Sequence, residues 1–427
     1  MENKLRILWF SNTPASGAEF LNLSSNLGGW LSSLDKAISD KVDLSVAFYY
    51  SLPIEPFVHH RVTYYPIHLK LSFFQKVRNA VDPIVFDKEN LNHYIRLIWH
   101  VNPDIIHIHG TENSFGCIID KIEIPVIISI QGNLNIYLYK YFSGLIAKHA
   151  LLKFPYLKGF RSFPYYQSFT RDYWWFRKTA KRELNNLKKV KYIAGRTDWD
   201  RRITKVLAPQ SKYFIVNELL REPFYKAQWS LNFSKKIQLF TTNGDTPYKG
   251  LETLCLALYI LNSLGIDVEW RVAGINDSDL IVKVVKRALK GKFPTQGLML
   301  LGSLNSEQLV NELVNSNIYV MPSHIENSPN NLCEAMLVGI PCIATYAGGT
   351  GSILRDKIDG LTVQDGDPWA LAGAILELHE NPQQAEKYSA SARVAAMNRH
   401  HPSNVVPSLL EVYRKLYKNR NLKNFFE

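Results

Sequence analysis

Cysteine is scarce in this 427-residue chain: Cys117, Cys255, Cys333 and Cys342 are the four, and none sits in a CxxC pair or beside a histidine cluster. That spacing excludes a disulfide framework and a cysteine zinc site, and it fits a reducing compartment. No stretch of 18 uninterrupted apolar residues occurs, so no membrane-spanning helix is read from the sequence. The opening "LRILWF" turns polar at Ser11, too soon for the apolar region of a signal peptide. The expectation is a cytoplasmic protein, soluble or peripheral on the inner face of the cytoplasmic membrane. GxGxxG and GxxxxGK[ST] are also missing, which counts against a dinucleotide oxidoreductase and a P-loop enzyme. Charged residues make up 21% and hydrophobic residues 46%, which excludes wholesale disorder and allows a large core.

What is present is a basic balance confined to one place. Residues 151–250 hold 21 Lys and Arg against 7 Asp and Glu, whereas the whole chain holds 50 against 38. Residues 137–176 carry fifteen aromatics, including Tyr165, Tyr166, Trp174 and Trp175, with Asp172 the one acidic residue. Arg177, Lys178, Lys181, Arg182, Lys188 and Lys189 follow directly. Basic residues interleaved with aromatics fit single-stranded nucleic acid, a membrane surface, or an aromatic core under a solvated helix. No nucleic-acid motif accompanies them, so nucleic acid ranks last.

Short β-branched runs alternate with helical periodicity along the chain. Residues 5–10, 42–48, 104–110, 125–132 and 191–197 read as strands, and so do 235–244, 268–274, 297–303, 318–323 and 341–347. Amphipathic stretches at 250–264, 279–290, 306–315 and 330–338 read as helices. Near-continuous apolar strands alternating with helices specify parallel sheets covered on both faces. The alternation restarts after a charged stretch near 205–235. The expectation is therefore α/β, with two Rossmann-like doubly wound domains, 1–210 and 211–402. A helix over 403–427 presents Val406, Leu409, Leu410, Tyr413, Leu416 and Tyr417 on one face and is expected to return to the first domain. Ligands of such sheets bind beyond the carboxyl ends of the strands, which places the active site in the interdomain cleft.

At those ends stand the candidates. Gly28 and Gly29 open a helix; they fit a flexible turn, or a backbone that leaves N–H groups free for an anion. His107, His109 and Glu112 end the run "DIIHIHGTE"; they fit a metal, a general base, a polar substrate contact, or simply a buried histidine and a loop residue. Gln131 ends the next strand with a neutral amide. Lys249 and Gly250 precede a helix, a setting that suits phosphate. The densest cluster is "YVMPSHIENSPNNLCEAMLVGIPCIATYAGG", with Glu326 on a loop and Glu334 eight residues later inside the following helix. Both carboxylates can face one ligand, with a diphosphate on the helix N-terminus between them.

This array resembles the retaining, nucleotide-sugar-dependent glycosyltransferases of family 4, which have the GT-B fold. The matching pieces run in order from Gly28-Gly29 through "HIHGTE", "GRTDWDR", "YFIVNE", "PYKG", "PSHIENSPNNLCEAM…GIPCIA" and "AGGT" to "DG…GDPWALAGAI". The resemblance implies a sugar moved from a nucleotide donor with retention of configuration and without a protein-derived covalent intermediate. It implies that Glu326 touches the donor sugar and stabilises positive charge at the anomeric carbon. Glu334 would hold the ribose, Lys249 the departing diphosphate, and Leu304 the base. Backbone groups at Gly29 and at Asn330, Asn331 and Leu332 would assist. His109 joins Glu326 and Lys249 as a catalytic candidate; Glu112 and Gln131 are candidates on the acceptor side. A hexosyl or N-acetylhexosaminyl transferase of surface or capsular polysaccharide assembly is implied, with a lipid-linked acceptor, no metal and no cofactor. Two positions depart from the family: Gly244 stands where an Arg is common, and Gln131 where a His is common. The rivals are a metal-dependent GT-A transferase, for which Asp198/Asp200, Asp277/Asp279 and Asp365/Asp367 supply DxD matches, and a basic nucleic-acid-binding protein.

Overall fold

The structure is a computed structural model, and it describes residues 4–23, 29–69, 83–144, 169–231 and 235–423. It divides into two compact units. The first comprises residues 1–135, 175–221 and 399–427, and the second residues 136–174 and 222–398.

The first unit holds strands β1 (Arg6–Ser11), β2 (Asp43–Tyr49), β3 (Phe57–His59), β4 (Val62–Ile67), β5 (Ile105–His109), β6 (Val126–Ser129), β7 (Tyr192–Gly195) and β8 (Lys212–Ile215). They form one sheet in the order β3-β4-β2-β1-β5-β6-β7-β8. Every pairing is parallel except that of β3 with β4. The β-branched centre of this sheet is buried on both faces, as parallel strands require: all five residues of β5 lie inside. Beneath it Leu8, Phe10, Ile106, Ile108, Phe115 and Ile128 belong to one core cluster.

The second unit holds β9 (Ile237–Thr242), β10 (Val268–Ala273), β11 (Leu298–Gly302), β12 (Ile318–Met321), β13 (Cys342–Thr345) and β14 (Leu361–Val363). Their order is β11-β10-β9-β12-β13-β14, parallel throughout. The helices Leu251–Ser263, Leu280–Leu289, Ser306–Val314 and Asn330–Val338 connect them, within a residue of the expected spans.

The expected division at residue 210 needs correcting. Strand β8 pairs with β7, Tyr192 opposite Lys212, so the first sheet continues past 210 and the division falls at 221/222. Residues 136–174 belong with the second unit rather than the first. Tyr137 and Tyr141 pack on Tyr248, with ring centroids 5.4 and 5.9 Å apart, and Lys140 pairs with Asp365 at 3.0 Å. The second unit ends at 398 rather than 402, and residues 399–427 group with the first. There the long C-terminal helix Pro402–Lys423 buries Val405, Val406, Leu409, Val412, Tyr413 and Leu416. Tyr413 reaches the sheet centre, where its hydroxyl accepts from Trp9 Nε1 at 2.9 Å and lies 2.7 Å from His107 Nδ1.

Candidate functional site

In the second unit, strand ends bring Lys249 and Glu326 together. Strand β9 ends at Thr242, and a short turn, Pro247–Lys249, delivers the lysine just before the helix that begins at Leu251. Strand β12 ends at Met321, and the loop after it carries Glu326, which is 6% exposed. Lys249 Nζ lies 2.6 Å from Glu326 Oε1. Burial works to lower the lysine's pKa, but the carboxylate outweighs it and holds the ammonium above its ordinary value. The Glu326 carbonyl accepts from Gly349 N–H at 2.8 Å. Gly348 comes so close that a Cβ there would lie 2.0 Å from the same carbonyl, at a φ of +59° that side chains rarely adopt. The glycine pair after β13 thus pins the backbone from which Glu326 projects.

The helix Asn330–Val338 opens beside this loop. Pro329 is its N-cap and supplies no side-chain cap, unlike Asn305 and Gln308, which make a capping box for the helix at 306–314. Asn331 Nδ2 donates to Thr242 O at 3.1 Å, tying the helix start to the end of β9. Leu332 N–H meets Asn331 Oδ1 at 3.0 Å, so of the three expected backbone donors this one is already engaged. Asn330 Oδ1 is enclosed without a hydrogen-bond partner. Glu334 lies on the first turns of the same helix and is 5% exposed. Leu304 follows β11 and is half-buried. Space is open beside Gly244, where an added Cβ would meet nothing within 4 Å, so nothing in the fold excludes a larger residue there.

The first unit places its candidates differently. Gly28 lies outside the described residues; Gly29 begins the helix Gly29–Ile38, with open space beside its Cα. His109 has no exposed surface, and neither ring nitrogen has a hydrogen-bond partner. Trp9 and Trp30 meet its ring edge-on, and the His107 ring lies 4.0 Å away. Burial, with His107 and Arg196 nearby, holds its pKa well below the ordinary value. The His109 imidazole, a catalytic candidate from the sequence, is thus packed among aromatic rings, with neither nitrogen engaged by a described side chain. His107 likewise bonds inward, to Tyr413 and to Ser129 Oγ at 2.7 Å. Glu112 folds back to accept from Asn12 Nδ2 at 3.0 Å, and burial raises its pKa. Gln131, just past β6, is half-buried.

Three features were unmarked in the sequence reading. Glu183 accepts from Leu134 N–H at 3.1 Å and Asn135 N–H at 3.0 Å, capping the helix Leu134–Lys140 from 48 residues away. Arg182, counted among the surface cations, is buried and pairs with Asp87 at 3.2 Å. His324 sits buried between Glu252 and Asp365. Only the last carried a local signal, its place two residues before Glu326. Among the described residues Glu19, His59 and His60 have mutually close ligand atoms, away from both sets of candidates. No described helix is long and apolar enough to cross a membrane.

The family model for glycosyl transferases group 1 matches residues 225–395. The amylovoran biosynthesis glycosyltransferase AmsK of Erwinia amylovora is 20% identical over 224 residues, covering 51% of this chain and 54% of that protein. The phosphatidyl-myo-inositol mannosyltransferase of Mycobacterium leprae is 28% identical over 179 residues, 42% of this chain and 46% of its own length. The chain thus spans about half the length of these curated relatives. In fold it is similar to Anabaena HepE, solved in complex with UDP and glucose, with a TM-score of 0.65, 14% identity and coverage of 96% and 99% of the two chains. The fold is GT-B, two Rossmann-like domains.

Proposed function

We propose, from the premise that residues 225–395 belong to the group 1 glycosyl transferases, that this chain moves a sugar from a nucleotide-diphosphate donor to a saccharide acceptor with retention of configuration. The observation that carries the reading is the Lys249–Glu326 ion pair beside a helix N-terminus that has no side-chain cap. A diphosphate is an anion that both the ammonium and the helix N-terminus attract. Its arrival draws Lys249 toward phosphate and releases Glu326 toward the sugar. As the glycosidic C–O bond breaks, negative charge grows on the diphosphate beside Lys249 and positive charge on the anomeric carbon beside Glu326. Both residues therefore bind the transition state more tightly than the ground state. Glu334 is assigned to the ribose hydroxyls and Leu304 to the base. Lys249 and the helix do the neutralising, so no metal is required.

The acceptor is proposed to be lipid-linked, in surface or capsular polysaccharide assembly, with a hexosyl or N-acetylhexosaminyl unit transferred at an anionic membrane surface. The support is likeness: one relative is named for amylovoran biosynthesis and another for mannosyl transfer to a phosphatidylinositol. Calorimetry with UDP and GDP in excess EDTA tests the donor reading. Saturable binding of one nucleotide, weakened about tenfold or more in Lys249→Ala, is expected. Binding of neither, or binding that only magnesium or manganese restores, overturns it.

A further inference from the structure

Two carboxylates from different segments converge on one buried imidazole in the second unit. His324 Nε2 pairs with Glu252 Oε1, and Nδ1 lies 3.4 Å from Asp365 Oδ2. Asp365 in turn pairs with Lys140 Nζ at 3.0 Å. His324 and Glu252 are each 1% exposed. Their places along the chain matter. Glu252 is the second residue of the helix that follows Lys249-Gly250, and His324 stands two residues before Glu326. His324 N–H also donates to Tyr248 O at 2.8 Å, so the two loops carrying Lys249 and Glu326 are joined through both backbone and side chain of one residue.

Residues 137–144 close over this junction. Tyr137 and Tyr141 pack on Tyr248. Gly144 sits at φ +76° so near that a Cβ would fall 2.3 Å from Glu252 Oε1 and 2.9 Å from His324 Nε2. A neutral imidazole has one N–H; donated to Glu252, it leaves the Nδ1 lone pair facing the carboxylate of Asp365, which Lys140 pairs from its other side. An imidazolium has two N–H groups: Nε2 bonds Glu252, and Nδ1, without a hydrogen-bond partner, lies within ion-pair distance of Asp365. Glu252, His324, Asp365 and Lys140 then sum to zero charge.

We infer that His324 is a positioning residue, held as an imidazolium between Glu252 and Asp365, which fixes Lys249 and Glu326 for the donor. The charged groups facing it are Glu252 from the helix, and Asp365 with Lys140 from the loop after β14 and the 137–144 segment. Burial opposes its charge, but the two carboxylates outweigh burial and raise its pKa. The inference rests on the donor reading above, and its test separates the two.

The full chain, labelled at histidine, is titrated by NMR, with the His324 signal identified by its loss in His324→Gln. Its pKa is expected above the ordinary ~6.5 and about one pH unit lower in Glu252→Gln. UDP and GDP affinities are measured in parallel from pH 7 to 9, above the final phosphate ionisation near pH ~6. Wild-type affinity for the nucleotide that binds should fall as His324 deprotonates. His324→Gln, checked as folded by thermal melting, should bind about tenfold more weakly and without that pH limb. If His324→Gln does not fold, Glu252→Gln carries both measurements, its limb moving to lower pH. An imidazole titrating at or below ~6.5 overturns the inference, and so does a folded variant with wild-type affinity and an unchanged pH profile. If neither nucleotide binds, the donor reading fails and the positioning role with it, while the titration still decides the charge on His324.

Discussion

Two helix N-termini in this chain are treated in opposite ways. The helix Leu134–Lys140 opens against the buried Glu183, whose carboxylate takes the first two backbone N–H groups. The helix Asn330–Val338 opens after a proline that caps nothing, with Lys249 and Glu326 in the preceding loops. The same contrast runs through the polar side chains nearby. In the first unit Arg196 pairs with Glu218 at 3.3 Å, His400 Nδ1 reaches the Glu218 carbonyl at 2.9 Å, and His107 bridges Tyr413 and Ser129. These groups hold sheet and C-terminal helix together. In the second unit Lys249 keeps 26% of its side chain exposed even while paired. A polar residue at a strand end is thus not evidence of chemistry in itself; what its donors and acceptors already hold decides the matter.

Acid is the strongest way to break the first side of that comparison. Burial lowers the pKa of His107 to about 3 and of His400 to about 4, and holds His109 well below its usual range. The unfolded chain takes up these protons near pH ~6.5 while the folded chain refuses them, so stability is full above that pH and is lost as pH falls toward the folded values. From pH 7 to 5.5 each imidazole costs about 1.3 kcal/mol, about 4 kcal/mol for the three. Asp35, Glu112, Glu183 and His324, whose pKa values are raised, work in the opposite direction and reduce the net drop. The urea midpoint should drop across this window, and His109→Leu should remove about a third of the slope while leaving UDP or GDP binding unchanged. A midpoint insensitive to pH in this window would mean these histidines are not sealed.

The second side is sharpened by Glu326→Gln. Removing one preorganised electrostatic contact of a transition state costs about 10²–10³ in turnover. Initial rates with the nucleotide sugar that binds should fall by that factor, with nucleotide affinity unchanged within about threefold. Near-normal turnover would remove Glu326 from the chemistry.

Much of this was legible in sequence, and the illegible part has physical reasons. Parallel strands buried on both faces announce themselves as apolar runs, so ten of the strands were found. The four that were missed lie at the sheet margins. β3 and β4 form a hairpin whose turn residues His60 and Arg61 adopt positive φ without glycine, β8 is an exposed "KYFI", and β14 has three residues. Lys249, Glu326 and Glu334 were visible because each follows a strand at short range. Glu183, Arg182 and the partners of His324 act across 41 to 95 residues, and no local pattern encodes such pairings. His109 is the converse case: its place at a strand end was legible, but the indoles packed on its ring were not.

The smallest expected effect concerns the basic helix Phe169–Leu187. Trp174 and Trp175 are 51% and 44% exposed, and Arg177 and Lys181 are exposed as well. Residues 174, 177, 178 and 181 fall on one helical face, which pairs an indole with cations as an anionic bilayer surface prefers. Arg182 faces inward onto Asp87 and the Glu112 carbonyl, so it belongs to the fold. Each cation near an anionic membrane contributes about 1 kcal/mol, close to fivefold in binding. Arg177→Ser and Lys181→Ser should each weaken co-sedimentation with phosphatidylglycerol vesicles by about that factor, together about 25-fold, more so at low salt. Arg182→Ser should instead lower the melting temperature, because it removes the buried cation paired with Asp87 and bonded to the Glu112 carbonyl. If Arg177→Ser and Lys181→Ser leave vesicle binding unchanged at low salt, the exposed face of this helix is solvated rather than docked, and the acceptor must be reached without it.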